Sequence, residues 1–180
     1  MSSLVSLPKY LLAVTLCVNL LGCGNPYKPD LTNKPQAKVR VVSNLHLQTW
    51  ASILKESCIP QTTFGWDSTQ QIDYLFAKDK PNRKSIGMPL PKIPDDASFT
   101  EIIIPAGRPI ALGFSTVGIA YVMACGAGVI FTPIEGVNYQ VTYQHKSGFD
   151  CSVELNSIEK NEAGEIKLLP VKEQTFAPKC

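Results

Sequence analysis

Alternation of apolar and polar residues at a period of two runs through most of this chain and predicts strands in preference to helices. Tyr139, Val141 and Tyr143 alternate with Gln140, Thr142 and Gln144, and Cys151, Val153 and Leu155 alternate with Ser152, Glu154 and Asn156. Turn-forming residues 146–150 separate the two runs, which makes them a hairpin. Upstream, the valine-rich stretch 38–43 predicts the first strand. Residues 99–104, 105–109 and 110–115 predict strand, turn and strand in succession. Residues 45–54 fit a helical stripe through Leu47, Trp50, Ala51 and Leu54 and also an alternation through Leu45, Leu47 and Thr49; we read a second strand there. A turn at 161–165 and a short strand at 166–169 follow the hairpin. About seven strands without a convincing long helix predict an all-β chain, a single β-sandwich of antiparallel strands.

Two stretches break the alternation. Residues 61–77 hold Phe64, Trp66, Tyr74 and Phe76 among small polar residues, the pattern of a satellite core under a loop. Residues 78–96 hold Pro81, Pro89, Pro91 and Pro94, so neither helix nor central strand persists and a long surface loop is expected. The neighbouring carboxylates Asp95 and Asp96 read as solvated turn residues. Residues 110–132 carry no charge and are long enough for a membrane-spanning helix. Gly113, Gly118, Gly126 and Gly128, with Pro109 and Pro133 at the borders, favour two strands around a loop at 117–124. That loop is apolar through Val117, Ile119, Tyr121 and Met123. It either folds onto the core or forms a patch for a partner or for lipid.

The first residues follow another pattern. Lys9 precedes an apolar run over 10–21, which suits a signal-peptide core and is too short to span a bilayer. The run closes on Leu20-Leu21-Gly22-Cys23, which resembles the lipobox of bacterial lipoproteins. The resemblance implies cleavage before Cys23 and acylation of that cysteine, whose buried chains hold a protein to a membrane surface. The implied organisation is a signal peptide over 1–22, a lipidated cysteine and flexible tether over 23–37, and a β-sandwich domain over 38–180. Gly24, standing where an Asp would retain such a protein at the inner membrane, implies the outer membrane, with the body facing the periplasm or the cell surface. The alternative is an ordinary secretory signal, with Cys23 free to pair.

Composition narrows the chemistry. Residues 24–37 hold three prolines, two lysines and almost nothing apolar, the composition of a tether. The formal charge of +2 falls by one without Lys9, and no basic run occurs, which argues against nucleic acid as a partner. Of six cysteines, Cys58, Cys125, Cys151 and Cys180 lie in the body, and in an exported chain they read as two disulfides. Three pairings are possible. We prefer Cys125–Cys151, at strand ends beside the hairpin, which leaves Cys58–Cys180. A metal site of Cys125, His145 and Cys151 competes, but it lacks a close C-x-x-C spacing, and neither metal nor cofactor is expected.

A second resemblance rests on Ile86-Gly87-Met88-Pro89, the turn from Ile104 through Pro105-Ala106-Gly107 to Pro109, Cys125, Phe131-Thr132-Pro133 with Gly136 and Tyr139, and Cys151. These pieces, scattered over 38–158, are similar to a group of small β-rich proteobacterial lipoproteins without an assigned function. The resemblance implies fold and cell location and no activity. Catalytic motifs are lacking: the chain has two histidines, His46 and His145, and no G-x-S-x-G, H-E-x-x-H or P-loop. His145 near Asp150 has the residue types of an acid–base pair, but with no nucleophile motif nearby a surface histidine at a hairpin end is the better reading.

The expectation is a non-enzymatic, membrane-anchored binding or assembly module for a protein partner in the envelope. Its contact candidates are Val117, Ile119, Tyr121, Met123 and Met88. An inhibitor or immunity protein against a cell-wall enzyme is the alternative, and a hydrolase using His145 a third reading.

Overall fold

The computed structural model describes residues 27–43, 48–54, 70–75, 83–117, 123–147, 150–172 and 174–176. The strands among them are β1 (Gln36–Ser43), β2 (Gln48–Leu54), β3 (Gln70–Leu75), β4 (Arg83–Lys84), β5 (Ser98–Pro105), β6 (Ile110–Val117), β7 (Met123–Phe131), β8 (Asn138–Ser147), β9 (Asp150–Lys160), β10 (Ile166–Pro170) and β11 (Gln174–Phe176). One sheet has six strands in the order β10-β9-β8-β1-β5-β4, and the other has five in the order β11-β7-β6-β2-β3. The protein is a β-sandwich.

The alternation decides which side chains meet between the sheets. Ala37, Val39 and Val41 of β1, Tyr139, Val141 and Tyr143 of β8 and Val153 and Leu155 of β9 face Leu112 and Phe114 of β6 and Val129 and Phe131 of β7 in one core. Phe114 stacks on Tyr143 with centroids 5.6 Å apart, and Phe131 meets Tyr139 edge-on at 5.1 Å, so aromatic pairs tie the two sheets together. The Tyr143 hydroxyl lies 3.3 Å from the Cys125 carbonyl oxygen and 3.4 Å from Thr116 Oγ1, and burial raises its pKa. A phenol at that depth needs such partners.

Several expectations need correcting. The six-stranded sheet is mixed and not purely antiparallel, because β1 runs parallel to β8 and β4 parallel to β5, whereas the five-stranded sheet is antiparallel throughout. The chain leaves β1, crosses to the other sheet and returns, so nothing forces the later strand to run antiparallel. Strands β3, β4 and β11 depart from the expected loops: β3 mixes Gln70, Gln71 and Asp73 with Ile72, Tyr74 and Leu75, and β4 and β11 are two and three residues long. The two strands expected within residues 110–132 are borne out, β6 and β7 pairing antiparallel with Gly113 opposite Gly128 and Ser115 opposite Gly126. The tether is shorter than composition suggests. Tyr27 packs on the core cluster, its hydroxyl donates to the Ile103 carbonyl at 3.0 Å, and β1 already begins at Gln36. One aromatic ring and the half-buried Leu31 outweigh the prolines around them. Residues 61–69 of the aromatic segment, including Phe64 and Trp66, and Phe76 lie outside the described residues.

Candidate functional site

The outer face of the six-stranded sheet carries charge where a sandwich usually meets water. Because β1 alternates, Arg40 points away from the core formed by Val39 and Val41. In register it stands opposite Glu101 of β5 on one side and Gln140 of β8 on the other, and Gln140 stands opposite Asn156 of β9. All four are buried, and the Arg40 and Glu101 side chains are completely so. A row of polar side chains therefore crosses four strands under cover.

Part of that cover is the chain from Arg83 to Ala97. After β4, residues 85–91 pass over Arg40 and Glu101. Gly87, at a φ of 84°, makes the turn in a left-handed conformation that an L side chain rarely adopts. Met88 turns inward and is buried, whereas Ile86 and Leu90 on either side are 42% and 55% exposed. Val42, Ala97 and Phe99, with Ile93 against them, form a small second core beneath the rest of the segment. Arg83 closes its base: Nη2 donates to the Pro94 carbonyl at 2.7 Å, Nε donates to that of Ala97 at 3.3 Å, and the guanidinium lies 5.8 Å from the Phe99 ring.

The ion pair holds the loop by its backbone. Arg40 Nε donates to Glu101 Oε1 at 3.0 Å, and Nη2 donates to the same oxygen and to the carbonyls of Met88 and Pro89 at 3.3 and 3.0 Å. Glu101 Oε2 accepts from the Ile86 N–H at 2.6 Å, the Met88 N–H at 3.2 Å and the Ser85 hydroxyl at 2.8 Å. Ser85 Oγ in turn accepts the Gly87 N–H at 3.1 Å. Burial alone would raise the Glu101 pKa. The bonds from Arg40, Ile86, Met88 and Ser85 outweigh it and hold the carboxyl below its ordinary value. The ion pair fixes Ile86, Met88 and Pro89 through backbone groups and Ser85 through its hydroxyl, so the outward Ile86 side chain is free to be chosen for contact. Arg40 Nη1 and Gln140 Oε1, a donor and an acceptor on paired residues, are buried without hydrogen-bond partners. The desolvation cost of each falls on the fold.

This arrangement revises the contact candidates. Met88 is 5% exposed and serves as the loop's buried peg, so it is withdrawn as a contact residue and Ile86 and Leu90 take its place. The left-handed turn at Gly87 breaks the strand alternation that would put residues 86, 88 and 90 on one face, so Met88 faces the covered sheet while Ile86 and Leu90 stay exposed. Val117 ends β6 and pairs with Met123, the first residue of β7, at an irregularity in register. Ile119 and Tyr121 lie outside the described residues, as do Cys23, Cys58 and Cys180. Cys125 of β7 and Cys151 of β9 are joined by a disulfide with a Cα separation of 6.0 Å, a bridge between the two sheets. Both sulfurs are committed there, which leaves no thiolate for a metal beside His145. His145 stands opposite Cys151 on the core-facing side of β8, and Asp150, one residue earlier on β9, belongs to the other face. The sheet does not bring those two together.

Reading the sequence missed Arg40 and Glu101. Their signal was a lone charge within a β-branched run, Val39-Arg40-Val41 and Thr100-Glu101-Ile102, on each of two strands. No protein-family model and no curated protein matches this chain, so the site is read from its own geometry.

Proposed function

We propose that this chain is an envelope lipoprotein, acylated on Cys23 and held at the outer membrane, whose body is a non-catalytic binding module for a protein partner. The observation that carries the reading is the clamp of Arg40 and Glu101 on residues 85–89, which leaves Ile86 and Leu90 outward on a backbone with little freedom. A loop ordered beforehand loses less entropy on binding, and exposed aliphatic side chains on a fixed backbone are suited to fill a partner's pocket. The lipid anchor rests on the Leu20-Leu21-Gly22-Cys23 motif.

Two measurements test this. Incorporation of a labelled fatty acid is expected in the wild type and lost in Cys23→Ser. Ile86→Asp/Leu90→Asp is expected to fold within about 0.5 kcal/mol of the wild type, as surface changes do, and to lose a stoichiometric partner recovered from detergent-solubilised native membranes. Leu168→Asp, on the exposed edge strand β10, is expected to keep that partner. Retention by the loop variant, or equal loss from both variants, would refute the assignment of the loop.

A further inference from the structure

The end of the sandwich where the chain enters β1 is built from three joined pieces. Residues 27–35 lie against it, with the Ala106 N–H donating to the Pro35 carbonyl at 2.9 Å. The turn between β7 and β8 is pinned to the same end: the Gly136 N–H donates to the Gln36 carbonyl at 2.8 Å and the Gly107 N–H to that of Pro133 at 2.8 Å. Ile134, which opens that turn, is held through its own N–H, which donates to the Tyr139 hydroxyl at 3.0 Å. The Ile134 side chain is nevertheless 66% exposed, more than any other large apolar side chain among the described residues. Burial pushes the Tyr27 phenol up to about 12 against an opposing pull from the Arg108 guanidinium, on the hairpin turn that Gly107 ties to this end.

Chain length decides what this end meets. The body is docked from Tyr27 onward, and the four peptide links from Cys23 to Tyr27 reach at most about 14 Å when fully extended. An acylated Cys23 sits at the bilayer surface, so Tyr27 cannot stand farther from it than that. We propose that this end of the sandwich rests on the lipid headgroups, with Ile134 set among them and the hairpin tip at Gly107–Arg108 alongside. The inference deepens the anchor reading above and depends on acylation of Cys23. Lys28 and Arg108 are accompanied here by Glu135 and a Lys34–Asp30 pair, so the contact does not call for anionic lipid. The sandwich then stands upright. Arg40 lies four residues along β1 from Gln36, about 13 Å up the strand, which would present Ile86 and Leu90 sideways above the membrane.

The test uses the mature, acylated full chain in phosphatidylcholine vesicles whose acyl chains are brominated near the headgroup. Ile134→Trp places a fluorophore at the proposed contact, and Lys146→Trp places one at the opposite end of β8, each compared with the wild type to subtract Trp50 and Trp66. The expected result is quenching and a blue shift of the added signal at 134 and neither at 146. A flexible insertion of about 20 residues before Tyr27 is expected to keep the protein on floated vesicles and abolish the quenching at 134. Flotation without quenching at 134, or equal quenching at both positions, would overturn the end-on contact and leave the anchor intact. Failure to float, with mass spectrometry showing an unmodified Cys23, would overturn both readings.

Discussion

Glu101→Ala is expected to lower the unfolding free energy by about 3–5 kcal/mol, the usual cost of removing one member of a buried ion pair. The change strands the Arg40 guanidinium at zero exposure and takes the acceptor from two backbone N–H groups and the Ser85 hydroxyl. Against a total stability of about 5–15 kcal/mol, this is a large fraction, and the melting temperature should fall by roughly 10 °C or more. Arg40→Ala should cost a similar amount, because it leaves the carboxylate buried. Arg40→Met/Glu101→Leu, which removes both charges together, should cost less than either single change. Calorimetry of the four proteins checks the order. The same group sets a pH dependence. The folded-state pKa of Glu101 lies below its ordinary value, so the unfolded chain takes up the proton first as acid is added. Its stabilisation is complete above the ordinary carboxylate pKa of about 4.3 and is lost as pH falls through the lower folded value. The acid limb of the stability curve should be correspondingly shallower in Glu101→Ala.

Cys125→Ser/Cys151→Ser is expected to cost about 3.5 kcal/mol, the chain-entropy value for a loop of this size. The bridge closes 26 residues and joins β7 to β9 across the core, so its loss frees the two sheets to separate as well as lengthening the unfolded chain. Denaturant unfolding without reductant should show a lower midpoint for the double variant. An unchanged midpoint would mean that packing such as the Phe114–Tyr143 stack holds the sheets together unaided.

Much of the fold was legible because half-buried strands write their period into the residues. The hairpin of β8 and β9, and strands β1, β5, β6 and β10, all lie where alternation or β-branching predicts them. The absence of charge over 110–132, which also suited a spanning helix, belongs to β6, β7 and the chain between them, in line with the glycines there. The candidate site was legible only in part. The Gly87-Met88-Pro89 segment was recognisable as a loop, but the inward turn of Met88 depends on the outer face of the sheet being covered, and no local pattern announces that. Arg40 and Glu101 sit 61 residues apart in sequence, and only the register of β1 on β5 brings them together. A lone charge in a valine-rich strand points to a buried partner without saying which. Tyr27 illustrates the opposite difficulty: in a segment that composition marks as a tether, one ring finds the core and shortens the free chain.

Amide hydrogen exchange at Ile86 and Met88 tests most directly whether the contact loop is held ready before any partner arrives. Both N–H groups end on the Glu101 carboxylate, at 2.6 and 3.2 Å. In the wild type they should be protected to the level of the β5 amides, and in Glu101→Gln they should exchange faster while β1 and β5 stay protected. Rapid exchange of both amides in the wild-type protein would contradict the account, since a loop that opens freely has not been organised for binding by the ion pair beneath it.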